Sequence, residues 1–381
     1  YNRHDKILNI DEIGLRDGGI GMFRLNVDGI SGREFRNIDI RPNDSIFVFV
    51  EATIPLNGNA DPHDCIDYLD FTTKGHTRTV VITALGQDVK RRRGIVIERD
   101  TTWRAEYPYQ IYDSLVVAEG AKLTLEPGVK LHFHDKALLK VRGTLEANGD
   151  AERPVEMMGD RTDNVVGSIP FDLMASQWYG VFFTPTSHSN KLRHTVIRNT
   201  VYGVMVDSLY RGTPENPGLT LINCKLRNSA GYGLTTSHSA VKAVGCEFAE
   251  AAEGVLFLHG GILVFNHCTI ANYYLFSAIG GESVIFSHFS QDTADTSGLP
   301  LMQADFTNCI IYGLGTDLSC GDFSGTAVTL RRCLLKSEGT DDDNFIACLW
   351  NSDPLYYAVR EDYIFDYRVR PESPAIGAAN P

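Results

Sequence analysis

Nowhere in the 381 residues does an apolar run approach 18 residues, so no segment reads as a membrane-spanning helix. Segments of roughly ten or more residues with a 3.6-residue hydrophobic period are missing from the repeated region, which argues against helical folds there. Basic residues are in deficit: 35 Lys and Arg stand against 48 Asp and Glu, a formal charge of −13. With no basic stripe to follow a phosphate backbone, nucleic acid is excluded as a partner. The one basic run, Lys90-Arg91-Arg92-Arg93, reads as a solvated connection. The chain has no CxxC pair, no GxSxG, no HExxH and no phosphate-cradling glycine loop. Most familiar catalytic and zinc motifs therefore lack their starting residues.

What is present is a repeat. LTLINCKL, VKAVGCEF, ILVFNHCTI, ADFTNCII and VTLRRCLL follow one another between Leu219 and Leu335. Their cysteines, Cys224, Cys246, Cys268, Cys309 and Cys333, are spaced by 22, 22, 41 and 24 residues. The long step reads as two units, one of them (near Ser283–Phe289, SVIFSHF) without a cysteine. Each unit holds a short β-branched and aromatic run, a polar turn and a second short apolar run. This is the pattern of a parallel β-solenoid, in which units bury their faces by stacking. A leucine-rich repeat fits less well, because the segments after each cysteine are not helix formers.

Residues at equivalent positions in stacked coils lie about 4.8 Å apart. The recurring cysteines are thus expected as an internal column of small apolar groups. The residue between each cysteine and the next apolar position, such as Lys225 or Glu247, should face outward. If a disulfide forms, Cys309–Cys320 or Cys320–Cys333 is the expected bridge.

Residues 1–89 differ in texture. Alternating runs at Leu8–Leu15, Gly21–Val27, Phe35–Ile40, Ser45–Ile54, Cys65–Thr72 and Thr77–Thr83 are separated by Gly, Asn, Asp and Pro turns. They predict a small antiparallel β-sandwich, truncated at its N-terminus. Residues 90–111 read as a connection, with Trp103 and Tyr107–Tyr109 at the junction, and 112–381 as the solenoid with a closing segment.

The resemblance is carried by SLVVAEGAKLTLEPGVKLHFH (Ser114–His134), LLKVRGTLEANG (Leu138–Gly149), QWYGVFF (Gln177–Phe183) and the terminal SPAIG (Ser373–Gly377). These stretches resemble right-handed parallel β-helix proteins of the pectin-lyase-like superfamily. With the N-terminal SGREF and FTTKGHTRTVVITALGQDV segments, the chain is similar to surface lipoproteins of Bacteroides-like bacteria. In such proteins the closing pattern has an aspartate where Gly377 stands. The resemblance implies an all-β fold, a right-handed parallel β-helix after a small antiparallel sandwich. It also implies a lipid anchor upstream of Tyr1, and an outer-membrane lipoprotein exposed at the cell surface or a secreted protein. Carbohydrate or protein at the cell surface is the expected partner, and the chain is expected to act as a monomer.

Glycan-cleaving members of this fold need carboxylates or a basic residue clustered on adjacent coils. Glu247, Glu250 and Glu253 find no acidic counterparts at 269–275, so no catalytic residue is assigned. The expectation is a binding or scaffold module, with a polysaccharide lyase or hydrolase, or a structural spacer, as alternatives. No cofactor is implied beyond calcium, for which Asp341, Asp342 and Asp343 are the weak candidates. His132 and His134 read as a surface pair. His238, His259, His267 and His288 fall at offsets of 21, 8 and 21, which reads as two coil positions rather than one column. The candidate binding residues are Trp178, Tyr179, Tyr273, Tyr274 and Trp350, as outward aromatics suited to a sugar ring or a protein hot spot.

Overall fold

A computed structural model describes residues 1–16, 21–166, 169–207, 213–289, 300–319 and 323–379. The chain divides into two compact units, Tyr1–Val89 and Lys90–Pro381. The first holds two antiparallel sheets. One has the strand order Glu34–Ile40, Leu8–Leu15, His63–Thr73, His76–Gly86; the other has Ile30–Gly32, Phe23–Val27, Val48–Ala52. Alternate residues of these strands, among them Ile10, Ile13, Leu25, Val27, Phe35 and Leu69, meet in a single apolar core. The turn-rich pattern read from residues 1–89 is this sandwich.

The second unit is a parallel β-helix with three faces per coil. A typical coil runs Tyr232–Ser237, Ala240–Val244, Glu247–Ala249, and the next runs Gly254–His259, Gly261–Asn266, Thr269–Asn272. Strands of the first and third faces join in one 16-stranded sheet because the long strand Tyr109–Val117 serves both. The second face is a separate ten-stranded sheet. Segment 90–111 is more than a connection. Lys90–Ile97 already pairs in parallel with Tyr109–Val117, and Thr101–Trp103 opens the second face. The basic run lies in a strand whose charges point to solvent, and Arg93 meets Asp113 of the next rung at 3.1 Å.

The 41-residue step is a single coil, which corrects the two-unit reading. Thr269 pairs with Ile310, so Cys268 and Cys309 stand on neighbouring rungs. SVIFSHF supplies the first-face strand of that coil, Val284–Ser287, paired with Leu256–His259. The extra length lies between Asn272 and Val284 and between Ser287 and Leu301, and the ladder continues on every face with one register shift, between Gly261 and Ile262.

The cysteines lie inside. Cys224, Cys246, Cys268, Cys309 and Cys333 are each no more than 1% exposed. Half-buried Cys348 extends the series, since Leu334 bridges to Leu349. Each thiol donates to a backbone carbonyl: Cys224 to Leu192 at 3.3 Å, Cys246 to Val244 at 3.4 Å, Cys333 to Phe306 at 3.4 Å. The column begins in the stack before the first cysteine. Pairing of Val196 with Lys225 puts buried Thr195 in the same column, and its hydroxyl donates to Arg193 at 3.0 Å. All seven described cysteines are free, and Cys320 lies outside the described residues. The residue before each buried cysteine (Asn223, Gly245, His267, Asn308, Arg332) takes a positive φ of 51–63°, turning the chain from second face to third.

Candidate functional site

On the first face, inward and outward residues alternate along each strand, and parallel register carries the alternation from coil to coil. The outward column runs Val116, Lys140, Phe182, Met205, Thr235, Phe257, Ile285, every one half-buried. Tyrosines from the start of the first-face strands or the residues just before them lie beside it. Tyr179 and Tyr202 have ring centroids 5.7 Å apart, Tyr202 and Phe182 6.2 Å, and Tyr232 and Phe257 5.2 Å. Tyr202 is 48% exposed, so this strip is open to solvent. Burial, then the charges of Glu253 and Glu282, push the Tyr232 phenol upward. The two carboxylates come from successive coils, because Gly254 would stand opposite Glu282 in the register that pairs Leu256 with Val284. Acidic groups one coil apart do therefore occur, at a spacing the long coil hides from a fixed 22-residue count.

At the end of the same strands lies a cluster of imidazoles. The outward column Asp207, Ser237, His259, Ser287 continues the face, and His238 and His288 follow it by one residue. One ring nitrogen from each of His238, His259 and His288 lies within 4.8 Å of the others. Ring centroids are separated by 4.9, 5.0 and 5.1 Å. His259 stacks in parallel on Phe257, at 6.4 Å and 4°, which ties the cluster to the aromatic strip. The four histidines do not form one column, as expected, but they group differently from what their offsets suggest. His238 and His288 are equivalent, His259 is their neighbour, and the unequal coil lengths disguised it. His267 is elsewhere, at the second corner, facing Asn308 at 3.3 Å.

Of the aromatic residues expected at a surface, Tyr179 belongs to the strip. Trp178 does not. It is fully buried, stacked on Phe133 at 4.0 Å, with its indole N–H donating to the Arg198 carbonyl at 2.8 Å. Tyr273 and Tyr274 are 7% and 9% exposed. Tyr273 packs under the closing hairpin, against Tyr356 and Tyr367 at 6.4 and 6.0 Å. Trp350 packs half-buried on Phe345 at 4.8 Å, its indole N–H held by Asp341 at 3.1 Å. Pattern alone cannot separate a ring stacked inside a coil from one standing beside it, because both sit at strand ends.

The acidic run has structural duties. Asp341 accepts from the amides of Ala347 and Cys348, and Asp342 from those of Asn344 and Phe345. His132 is not a surface residue: it is 5% exposed, and burial lowers its pKa to about 4. His134 pairs with Asp160 at 2.8 Å.

No family model matches the chain, and no solved structure matches it. A stretch of 80 residues, 21% of the chain, is 32% identical to a part of the protein bark beetle of Drosophila melanogaster. That alignment spans 3% of the fly protein's length. Among the described residues, no helix is long and apolar enough to cross a membrane.

Proposed function

We propose that the protein is a binding and scaffold module of the cell surface, and that it grips carbohydrate along the first face of its β-helix. The observation that supports this reading is the solvent-open strip of Tyr179, Phe182, Tyr202, Tyr232 and Phe257, with Glu253 and Glu282 beside it. Flat rings offer apolar faces to the C–H side of a sugar, and carboxylates accept from its hydroxyls. A rigid ladder holds these groups in place without an ordering cost on binding. Surface display, by a lipid anchor or by secretion, is what the likeness to surface lipoproteins implies. Binding is preferred to catalysis as the task. Glycoside cleavage is the second reading, resting on two carboxylates from adjacent coils.

Calorimetry against a panel of neutral and acidic oligosaccharides tests the proposal. Tyr202→Ala and Phe257→Ala should each weaken the best ligand about tenfold, or ~1.4 kcal/mol. Absence of saturable binding to any glycan, or binding undiminished in both variants, would sink it. Release of reducing or unsaturated ends, lost in Glu253→Gln, would move the assignment to an enzyme.

A further inference from the structure

We propose that His238, His259 and His288 form a binding site for one divalent transition-metal ion, zinc being the best match, with a coordination position left for water or a ligand group.

The geometry builds it in three steps. His238 and His288 sit two coils apart at the same corner, with φ of 51° and 61°. Strands two rungs apart are separated by about 9.6 Å, twice the inter-strand spacing. The corner residue between them is Gly260, at φ 63°. It carries no side chain, so the rings above and below approach each other across it to 5.0 Å. His259 then adds a third imidazole from the middle coil, 4.9 and 5.1 Å from the other two.

Turn chemistry accounts for only part of this. Histidine is enriched at positive φ, so His238 and His288 could be there for the corner alone. His259 lies in the strand Gly254–His259, where no turn requires it, and the equivalent residues on the rungs either side are Ser237 and Ser287. The Ser287 hydroxyl meets its Nδ1 at 2.9 Å. Such a hydrogen bond fixes the ring plane of a metal-ligating histidine and directs Nε2 at the ion.

The chemistry selects the metal. Three neutral imidazoles suit zinc, copper, nickel or iron, whereas calcium and magnesium take oxygen. Three histidines plus one open position is also a catalytic zinc arrangement. Nitrogens at about 2.0–2.1 Å from a tetrahedral ion stand roughly 3.4 Å apart. The observed limit of 4.8 Å therefore requires a ring movement of about 1 Å, within reach of small side-chain rotations. His238 and His288 are 8% and 6% exposed, while His259 is half-buried, so an ion would enter past His259.

The test uses the untagged, chelator-treated protein with Zn²⁺ and, as a spectroscopic probe, Co²⁺. One Co²⁺ per chain should bind, giving the visible d–d bands of a four- or five-coordinate ion without the near-ultraviolet band of thiolate ligation. Zn²⁺ should displace it and raise Tm with the logarithm of its excess over Kd. His259→Ala should abolish saturable binding, with far-UV circular dichroism unchanged because this residue is half-buried. Ser287→Ala should weaken binding by roughly tenfold or more through loss of the orienting hydrogen bond. His267→Ala, at the other corner, should change nothing. No saturable binding by the wild type, binding that survives His259→Ala, or a thiolate band assigning the ion to cysteine would each overturn the proposal. A glycan result of either sign leaves this outcome independent.

Discussion

The cysteine column can be tested one atom at a time. On sequence grounds a serine at Cys246 buries an unsatisfied hydroxyl, with the cost that implies. The structure removes that cost. Thr195 stands in the same column and satisfies its hydroxyl on the carbonyl two residues back, the acceptor geometry Cys246 uses with Val244. Cys246→Thr should therefore change stability by no more than about 1 kcal/mol. Cys246→Ala, which leaves a gap between rungs, should cost ~1–2 kcal/mol. Denaturant titration of both variants checks the order; a threonine worse than alanine would contradict it. Burial raises the Cys224 and Cys309 thiols well above their usual range, and lifts Cys348 to about 11. In the folded protein these groups should resist alkylation at neutral pH, then react on denaturation without reductant. Fast native-state labelling of Cys224 or Cys309 would contradict the packing.

The closing hairpin, Tyr356–Ala358 with Asp366–Val369, is the element that covers a buried carboxyl. It lays Tyr356 and Tyr367 over Ala249, Ala271 and Tyr273 of the third face. Tyr367 donates to Glu250, which is 1% exposed, and burial raises that carboxyl to about 8 against an ordinary 4.5. Arg227, the Tyr367 hydrogen bond and then Lys225 oppose the shift, but Arg227 is already paired with Glu247 and lies 5.8 Å from the Tyr367 ring. A folded pKa above the unfolded one means stability that is complete below about 4.5 and declines as pH rises through about 8. Protection of the hairpin amides, taken relative to intrinsic exchange at each pH, should fall between about pH 5 and 8.5 in the wild type and much less in Glu250→Gln. Equal pH profiles would contradict this latch.

At this scale the limits of reading the sequence are physical. Coils of 22 residues announced themselves because each cysteine recurs with an apolar residue two positions on. The coil from Cys268 to Cys309 did not, because corner residues carry no period and can multiply while the ladder continues. That one misplaced coil hid both the acidic pair Glu253 and Glu282 and the alignment of His238 with His288. Trp178 misled for another reason: Phe133 stacks on it from inside, and no one-dimensional pattern distinguishes that ring from Tyr179 beside it.

For the whole molecule, coupling is between nearest neighbours. Ion pairs join successive coils along the outside, as in Lys122–Glu146 at 3.5 Å, Lys130–Glu156 at 3.7 Å and Lys225–Glu247 at 3.3 Å. Exposed pairs of this kind contribute about 0–1 kcal/mol each, so the apolar lumen must carry most of the stability. Hydrogen exchange should then be slowest in coils between Lys122 and Asn272, which have full rungs on both sides. It should be faster from Val328 onward, where strands shorten to two residues at Leu334–Leu335 and Phe345–Ile346. Uniform protection along the β-helix would point to a single cooperative block instead.

The long coil between Cys268 and Cys309 also separates two ways in which such a molecule can grow. Chain added at a corner leaves the height of the rod untouched, since the rise is set by backbone pairing and not by contour length. Duplicating a 22-residue coil would lengthen the rod by about 4.8 Å and displace everything beyond it. Corner growth is the gentler route for descent with modification, and the corner that follows Ser287 and His288 is one address for it. New decoration can be tried at that address while the reach of the molecule stays the same.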